Sequence, residues 1–242
     1  MTEFKMPTEV IELPSKGLLY PESNPLSAGT VEIKYMTAKE EDILTNQSYI
    51  EKGIVVDKLL QSLIVTKINY EDLIVGDKNA ILVAARILAY GGDYTFRYSN
   101  QSYTIDLTEL ESKEIDSTLV KKGTNEFEFK LPYTNNVLTF KLLDGHDEKK
   151  ISKELEGLKK ISKDNMPELT TRLKYTVTSI NGSREARDIR EFVDQQLLAR
   201  DSRALREYIR VIQPDVEIVF IPEGGEKSVS APITANFLYP EL

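Results

Sequence analysis

The sequence predicts an α+β fold, with a helical core, an inserted antiparallel β subdomain and a C-terminal β-hairpin. Three observations predict it. Within residues 76–92, GDKNAILVAARILAYGG, every residue from Ile81 to Ala89 except Arg86 is apolar. A helix apolar on all sides must be wrapped by other elements. From Tyr94 to Lys141 the apolar period changes to two, the spacing of half-buried strands. After Asp144 the helical period returns and runs to Pro214, beyond which Val216–Ile221 and Val229–Ile233 flank Gly224-Gly225 as a last hairpin. The chain accordingly divides into an extended arm, strand and helical core (1–92), an antiparallel β subdomain (93–143), a continuation of the helical core (144–213), and a terminal hairpin and tail (214–242).

Taken in order, residues 1–14 carry Pro7 and Pro14 and no helical period, and read as extended. Ser15–Gly29 holds Gly17, Pro21, Pro25 and Gly29 and reads as a loop. Val31, Ile33 and Tyr35 alternate in a strand. Thr37-Ala-Lys-Glu40 matches a capping box, so a helix over about 38–50 follows. Ile54–Val65 is a helix with the stripe Val55, Val56, Leu59, Leu60 and Leu63, and Asn69–Leu73 forms a helical turn. Asp77 is placed to cap the buried helix, and Gly91-Gly92 to end it.

Tyr94, Phe96, Tyr98 and then Tyr103, Ile105, Leu107 alternate around the turn Ser99-Asn-Gln-Ser102. With the runs around Phe127/Phe129 and Val137/Phe140 they make an antiparallel unit of about four strands, its halves bridged by the polar stretch Thr108–Thr124. Helices are then expected over Asp144–Lys163 (stripe Ile151, Leu155, Leu158, Ile161) and from Pro167 onward. The second has Met166, Leu169, Leu173, Val177 and Ile180 on one face, and Asn181-Gly182 at its end. Helices at about 184–198 and 202–212 complete the block before Pro214.

The length suffices for one large domain or two small ones. No apolar run approaches the roughly 20 residues of a membrane span, and MTEFKMPTEV lacks the apolar stretch of a signal peptide. A cytoplasmic site of synthesis is the default expectation. There is no cysteine and one histidine, which excludes disulfides and thiolate metal sites and disfavours histidine catalysis. A net charge of −8 disfavours nucleic acid, whose phosphates want a basic face.

Candidate chemistry is sparse. No P-loop and no nucleophile elbow is present. Asp144-Gly-His-Asp147 has the residue types of a metal site but reads as a turn and helix cap, with no second ligand cluster to complete it. The acidic pairs Glu40/Glu41 and Glu109/Glu111 are expected on solvated surfaces. Seven of the ten arginines fall between Arg184 and Arg210. Their spacing places Arg184/Asp188, Arg187/Glu191, Arg190/Asp194 and Arg203/Glu207 at i,i+4, the sign of a mutually neutralised helix face. A nucleic-acid-binding or regulatory role for these 184–210 helices is the alternative reading. No catalytic, cofactor-binding or metal-binding residue is assigned.

Two stretches are unusual: Val10–Tyr20, apolar yet loop-like, and Phe237-Leu-Tyr-Pro240. Either both pack back on the body, or they dock on a partner. The partner-contact candidates are Leu13, Leu18, Leu19, Tyr20, Phe237, Leu238 and Tyr239.

These stretches also carry a resemblance. Leu13-Pro-Ser-Lys-Gly-Leu-Leu-Tyr20, Thr37-Ala-Lys-Glu-Glu-Asp-Ile-Leu44, the Gly76-Asp77 helix with Arg86, Tyr90-Gly91, Leu131-Pro132 and the terminal Phe237…Pro240 together resemble a T4-type bacteriophage baseplate hub and hub-assembly protein family, in order and over nearly the whole chain. The resemblance implies a non-catalytic structural subunit or assembly chaperone of a contractile-tail baseplate. Its partners would be other hub proteins, and its location the host cytoplasm during assembly or the virion baseplate. Similar proteins often carry Cys-x-x-Cys pairs in the hairpin turns. Here Ser99–Ser102 and Ile221–Gly225 stand there, so zinc is not carried over and packing must hold the hairpins.

Overall fold

The computed structural model describes residues 6–161, 167–233 and 235–239. Lys163, Met166 and Pro240, and the side chain of Ile161, which the sequence placed in a helix end, two stripes and the tail, lie outside that description.

The fold is α+β, with helices around several small antiparallel sheets. The N-terminal arm is more than extended: β1 (Thr8–Glu12) pairs with β2 (Thr30–Lys34) in antiparallel register, Val10 opposite Glu32. The loop between them closes through Leu13 N–H to the Gly29 carbonyl at 2.8 Å.

At the next helix the Glu40 carboxylate accepts from Thr37 N (3.0 Å), as the capping pattern predicts, and also from Thr37 Oγ1 (2.6 Å). The expected helix is split into α1 (Ala38–Leu44) and α2 (Gln47–Glu51), because Asn46 caps the second by accepting from Tyr49 N. Helix α3 (Val55–Leu63) buries Leu59, Leu60 and Leu63.

Helix α4 (Val75–Tyr90) is the central element, with Ala80, Ile81, Leu82, Val83, Ala85 and Arg86 buried. It starts one turn earlier than the sequence suggests. Ile74 is its N-cap residue, so Asp77 lies inside the first turn and caps nothing. Gly91 ends it at φ +83, the backbone conformation glycine adopts without strain. Arg86 donates to the carbonyls of Gly91 (2.8 Å) and Asp93 (2.9 Å), so the one charge in the apolar run clamps the helix end to the strand that follows.

The strands of 93–143 do not close on one another, which corrects the expectation of one β subdomain. β3 (Asp93–Tyr98) and β4 (Gln101–Asp106) form a separate hairpin. Its turn is the pair Ser99-Asn100, both at positive φ (47 and 66). That is the mirror-image turn matching strand twist, so Gln101 and Ser102 belong to the strand. β5 (Ser112–Lys113) pairs instead with β9 (Asp215–Val216). β6 (Phe127–Lys130) and β7 (Val137–Phe140) are completed by β8 (Val177–Ile180) in the order β6-β7-β8.

β8 replaces the second half of an expected helix. After α5 (Gly145–Ile161), helix α6 (Glu168–Thr176) stops where Val177, Thr178 and Ile180 begin, since β-branched side chains fit a pleated strand better than a helix. Helix α7 (Ala186–Glu191) runs into a π-helical turn (Phe192–Gln196), and α8 (Ala199–Ile212) follows. β10 (Val219–Phe220) and β11 (Val229–Ser230) make the last hairpin, before the short helix α9 (Ala235–Leu238).

The hairpins β3–β4 and β10–β11 are packed together. The Phe96 and Phe220 rings meet edge-on at 4.8 Å, and Tyr103 lies 4.8 Å from Phe220. No described helix is long and apolar enough to cross a membrane.

Candidate functional site

The seven partner-contact candidates separate into two groups. Leu13 and Phe237 are fully buried, and Leu19, Tyr20 and Leu238 are buried. Leu18 is half-buried, and Tyr239 is 44% exposed. As surfaces for a partner, Leu13, Leu19, Tyr20, Phe237 and Leu238 are therefore corrected: they are core residues of this chain, and the home-packing alternative describes them. The physical reason is a set of anchors far away in sequence. The Phe237 ring stands edge-on to Tyr94 at 4.9 Å, and Tyr94 Oη donates to the Pro232 carbonyl at 2.6 Å.

The N-terminal stretch is fixed by Asp77, which has no exposed surface. Its carboxylate accepts from Ser15 N (3.0 Å), Ser15 Oγ (2.7 Å) and Tyr20 Oη (2.6 Å), while Tyr20 Oη accepts from Ile74 N (3.1 Å). Burial pushes the Asp77 carboxyl above the ordinary carboxylate range, against the lowering effect of the Tyr20 and Ser15 donors. Burial and the neighbouring Asp77 also push the Tyr20 phenol up.

A cavity of about 610 Å³ lies between the start of α4 and helices α5, α6 and α8. Its charged lining is internally paired. Lys78 sits 4.0 Å from Asp57 and 4.6 Å from the centre of the Tyr70 ring. Lys141 meets Asp147 at 2.7 Å, and Arg172 grips Glu148 with two hydrogen bonds of 2.7 and 3.1 Å. The Glu148 partner holds the Arg172 guanidinium above its usual value. Of the hydroxyls, Thr176 Oγ1 donates to the Arg172 carbonyl at 2.9 Å. The arrangement reads as an ionic seam that locks α5 and α6 to the body.

Asp144-Gly-His-Asp147 is the start of α5. Asp144 Oδ1 accepts from Asp147 N at 2.9 Å, and burial raises the Asp144 carboxyl. His146 turns outward to Asp72, 2.9 Å away. Among the described residues no group of three or more His, Asp or Glu converges as a metal site requires.

Of the acidic pairs, Glu109 and Glu111 are exposed as expected, but Glu40 is fully buried. Burial pushes its carboxyl up, and the donors Lys34, Thr37 and Ser62 together outweigh that and hold it at about 2.

The arginine helices also differ from expectation. Only Arg203–Glu207 forms the i,i+4 pair read from spacing, at 3.0 Å. Arg184 reaches across to Glu126 (2.8 and 2.9 Å) and Arg190 to Glu154 (3.3 and 3.1 Å), each two-pronged, and these guanidiniums hold both carboxyls below their ordinary range. Asp188 takes the Ser183 hydroxyl and Asp194 takes Lys174. A guanidinium matches a carboxylate face-on, and a partner on a facing element permits that geometry better than the next helical turn does.

Beyond Tyr239, which was among the candidates, what sequence reasoning missed is the exposed apolar side chains of the paired hairpins. Tyr98, Val219, Ile221, Ile233 and Tyr239 are five of the thirteen large apolar side chains exposed among the described residues. Alternation within β10 was the available signal: with Phe220 turned in, its neighbours Val219 and Ile221 must turn out. No known protein family, curated protein or solved structure matches this chain.

Proposed function

We propose that the protein is a non-catalytic component of a contractile-tail phage baseplate, a hub subunit or hub-assembly factor that works through protein–protein contacts. The ordered series of motifs from Leu13–Tyr20 to Phe237–Tyr239 supports the assignment to that machinery. The observation that carries the mode of action is the apolar outward surface of the hairpin module, with Ile221 63% exposed and Ile233 56% exposed. Exposed apolar side chains such as these gain free energy only when a partner covers them. The Phe220 ring, packed against Phe96 and Tyr103, anchors the strand beside Ile221, which lowers the ordering cost of docking.

The test is mass spectrometry of purified phage particles beside immature baseplates, with wild-type protein and with an Ile221→Glu/Ile233→Glu variant. The expected result is wild-type protein in one of the two preparations, and loss of the variant from it at an unchanged melting temperature. Absence of the wild type from both preparations refutes the assignment. Normal incorporation of the variant refutes the hairpin surface as the contact.

A further inference from the structure

We propose that the outward face of α8 is a docking surface for an acidic segment of a protein partner. The inference rests on the assembly reading above and names the chemistry of one contact. Arg203, Arg206 and Arg210 lie at i, i+3 and i+7 on that face, spanning about 10 Å at the rise of a helix, and Arg200 extends the row by a further turn. All four are exposed. Glu207 is the one carboxylate in the row, and Arg203 takes it. Among the described residues, Arg200, Arg206 and Arg210 have no carboxylate within ion-pair distance.

On α7 only Arg187 shares this state, exposed and with no carboxylate within ion-pair distance among the described residues, so α8 differs in carrying three such arginines in a row. Arg172, Arg184 and Arg190 each find a two-pronged carboxylate on another element of the same chain. The α8 arginines face away from the body. The shallow notch of about 190 Å³ at the end of the helix is lined by Lys113, Arg206 and Arg210 together with Asp215 and Glu217. Asp215 is occupied by Asn79 at 2.8 Å. Lys113 donates to the Arg210 carbonyl and adds a further cation at that end. The result is a cationic row on a chain of net charge −8.

The composition of the face favours protein over nucleic acid. The row along the helix is arginine, with Lys113 the one lysine, at its end. Exposed apolar residues interrupt it: Val211 at 65%, Leu198 at 52%, and Tyr133 at 56%, the last lying under the Arg200 guanidinium at 5.4 Å. Arginine and tyrosine are enriched in protein interfaces and lysine is depleted. Glu207, Asp215 and Glu217 would repel a continuous phosphate backbone, whereas discrete carboxylates can be placed between them. Asp201, buried in the first turn of α8, fixes the Tyr133–Thr134 loop by accepting from Tyr133 N (2.9 Å) and Thr134 N (3.1 Å), so the tyrosine is held beside the row.

The experiment uses the full chain and a labelled synthetic helical peptide carrying Glu at i, i+3 and i+7 with leucines between, titrated by fluorescence anisotropy. Wild type is expected to bind. Arg206→Gln/Arg210→Gln is expected to bind about tenfold more weakly at an unchanged melting temperature. Arg206→Glu/Arg210→Glu is expected to prefer the same peptide with Lys in place of Glu. Failure of wild type to bind at low salt overturns the proposal, as does equal affinity of the Gln variant. Tighter binding of a duplex DNA of the same charge, falling steeply with salt, also overturns it. Wild type incorporated into baseplates without binding the peptide sinks this surface alone. Peptide binding without incorporation sinks the assembly reading alone.

Discussion

Replacing Asp77 with alanine removes the acceptor for three donors at once. Ser15 N, Ser15 Oγ and Tyr20 Oη all point at this carboxylate, within 2.6–3.0 Å, in a site with no exposed surface. A buried donor left without a partner costs about 1–3 kcal/mol. Water entering the small space vacated would recover part of that, so the expected loss for Asp77→Ala is about 3–5 kcal/mol. Asp77→Asn keeps one acceptor oxygen but turns a donor toward two hydroxyls, and should cost about 1–2 kcal/mol. The two variants also separate by pH. Burial sets the folded pKa of Asp77 above the unfolded value, so the folded chain holds this proton more tightly. The associated stability is complete below the unfolded pKa of about 3.9 and is lost as pH rises through the folded one. Asparagine does not titrate, so the advantage of wild type over Asp77→Asn should be largest in acid and shrink toward neutrality. Urea unfolding of the three proteins across that range is the assay. A loss below about 1 kcal/mol for Asp77→Ala, or a wild-type advantage that widens with rising pH, would refute the reasoning.

Three further outcomes follow from the packing. Gly76→Ala should destabilise by about 1–3 kcal/mol despite a helix-propensity gain of about 1 kcal/mol, because the new Cβ runs into the Pro214 carbonyl; a more stable variant in urea titration would mean that α4 and β9 do not meet this closely. Phe237→Ala should cost about 3–5 kcal/mol through loss of a fully buried ring against Tyr94, seen as a lowered Tm, and an unchanged Tm would remove the tail from the core. Arg190→Gln should cost about 1 kcal/mol or less, since its pairing with Glu154 leaves the guanidinium half-exposed; a loss above about 2 kcal/mol in high salt would show that the pair acts as a buried one.

The parts legible in the sequence are those with a local period or a local partner. The stripe of α3, the apolar run of α4, and the Thr37–Glu40 cap all follow from residues within two turns of one another. The parts that were not legible depend on distant partners. Asp77 has the residue type of a cap, and nothing nearby announces that Ser15 and Tyr20 will claim its oxygens. Leu13, Leu19 and Phe237 lie in segments without a period, so their burial could not be read from spacing. Leu169, Leu173, Val177 and Ile180 do share a helical spacing, and the strand preference of Val177–Ile180 overrode it once β7 offered an edge. The i,i+4 arginine pairs were geometrically allowed, but carboxylates on facing elements offered two-pronged contacts instead. The exposed hairpin surface was hidden because which face of β10 turns outward is decided by Phe96 and Tyr103, over a hundred residues earlier.

The contact between Gly76 and Pro214 has a consequence for the order in which the protein can be made. The first turn of α4 rests on the backbone of Pro214 and Asp215, and Asn79, at the start of the next turn, hydrogen-bonds Asp215. A ribosome delivering about 5–20 residues per second emits the first of these segments roughly 7–30 s before the second. Throughout that interval the apolar helix α4 has its amino-terminal flank uncovered, and β5, whose strand partner is β9, has an open edge. Nascent chains of this protein are therefore expected to bind general chaperones until Pro214 and Asp215 have emerged. Stalled or prematurely terminated chains ending before Pro214 should be cleared by proteolysis rather than accumulate as stable fragments.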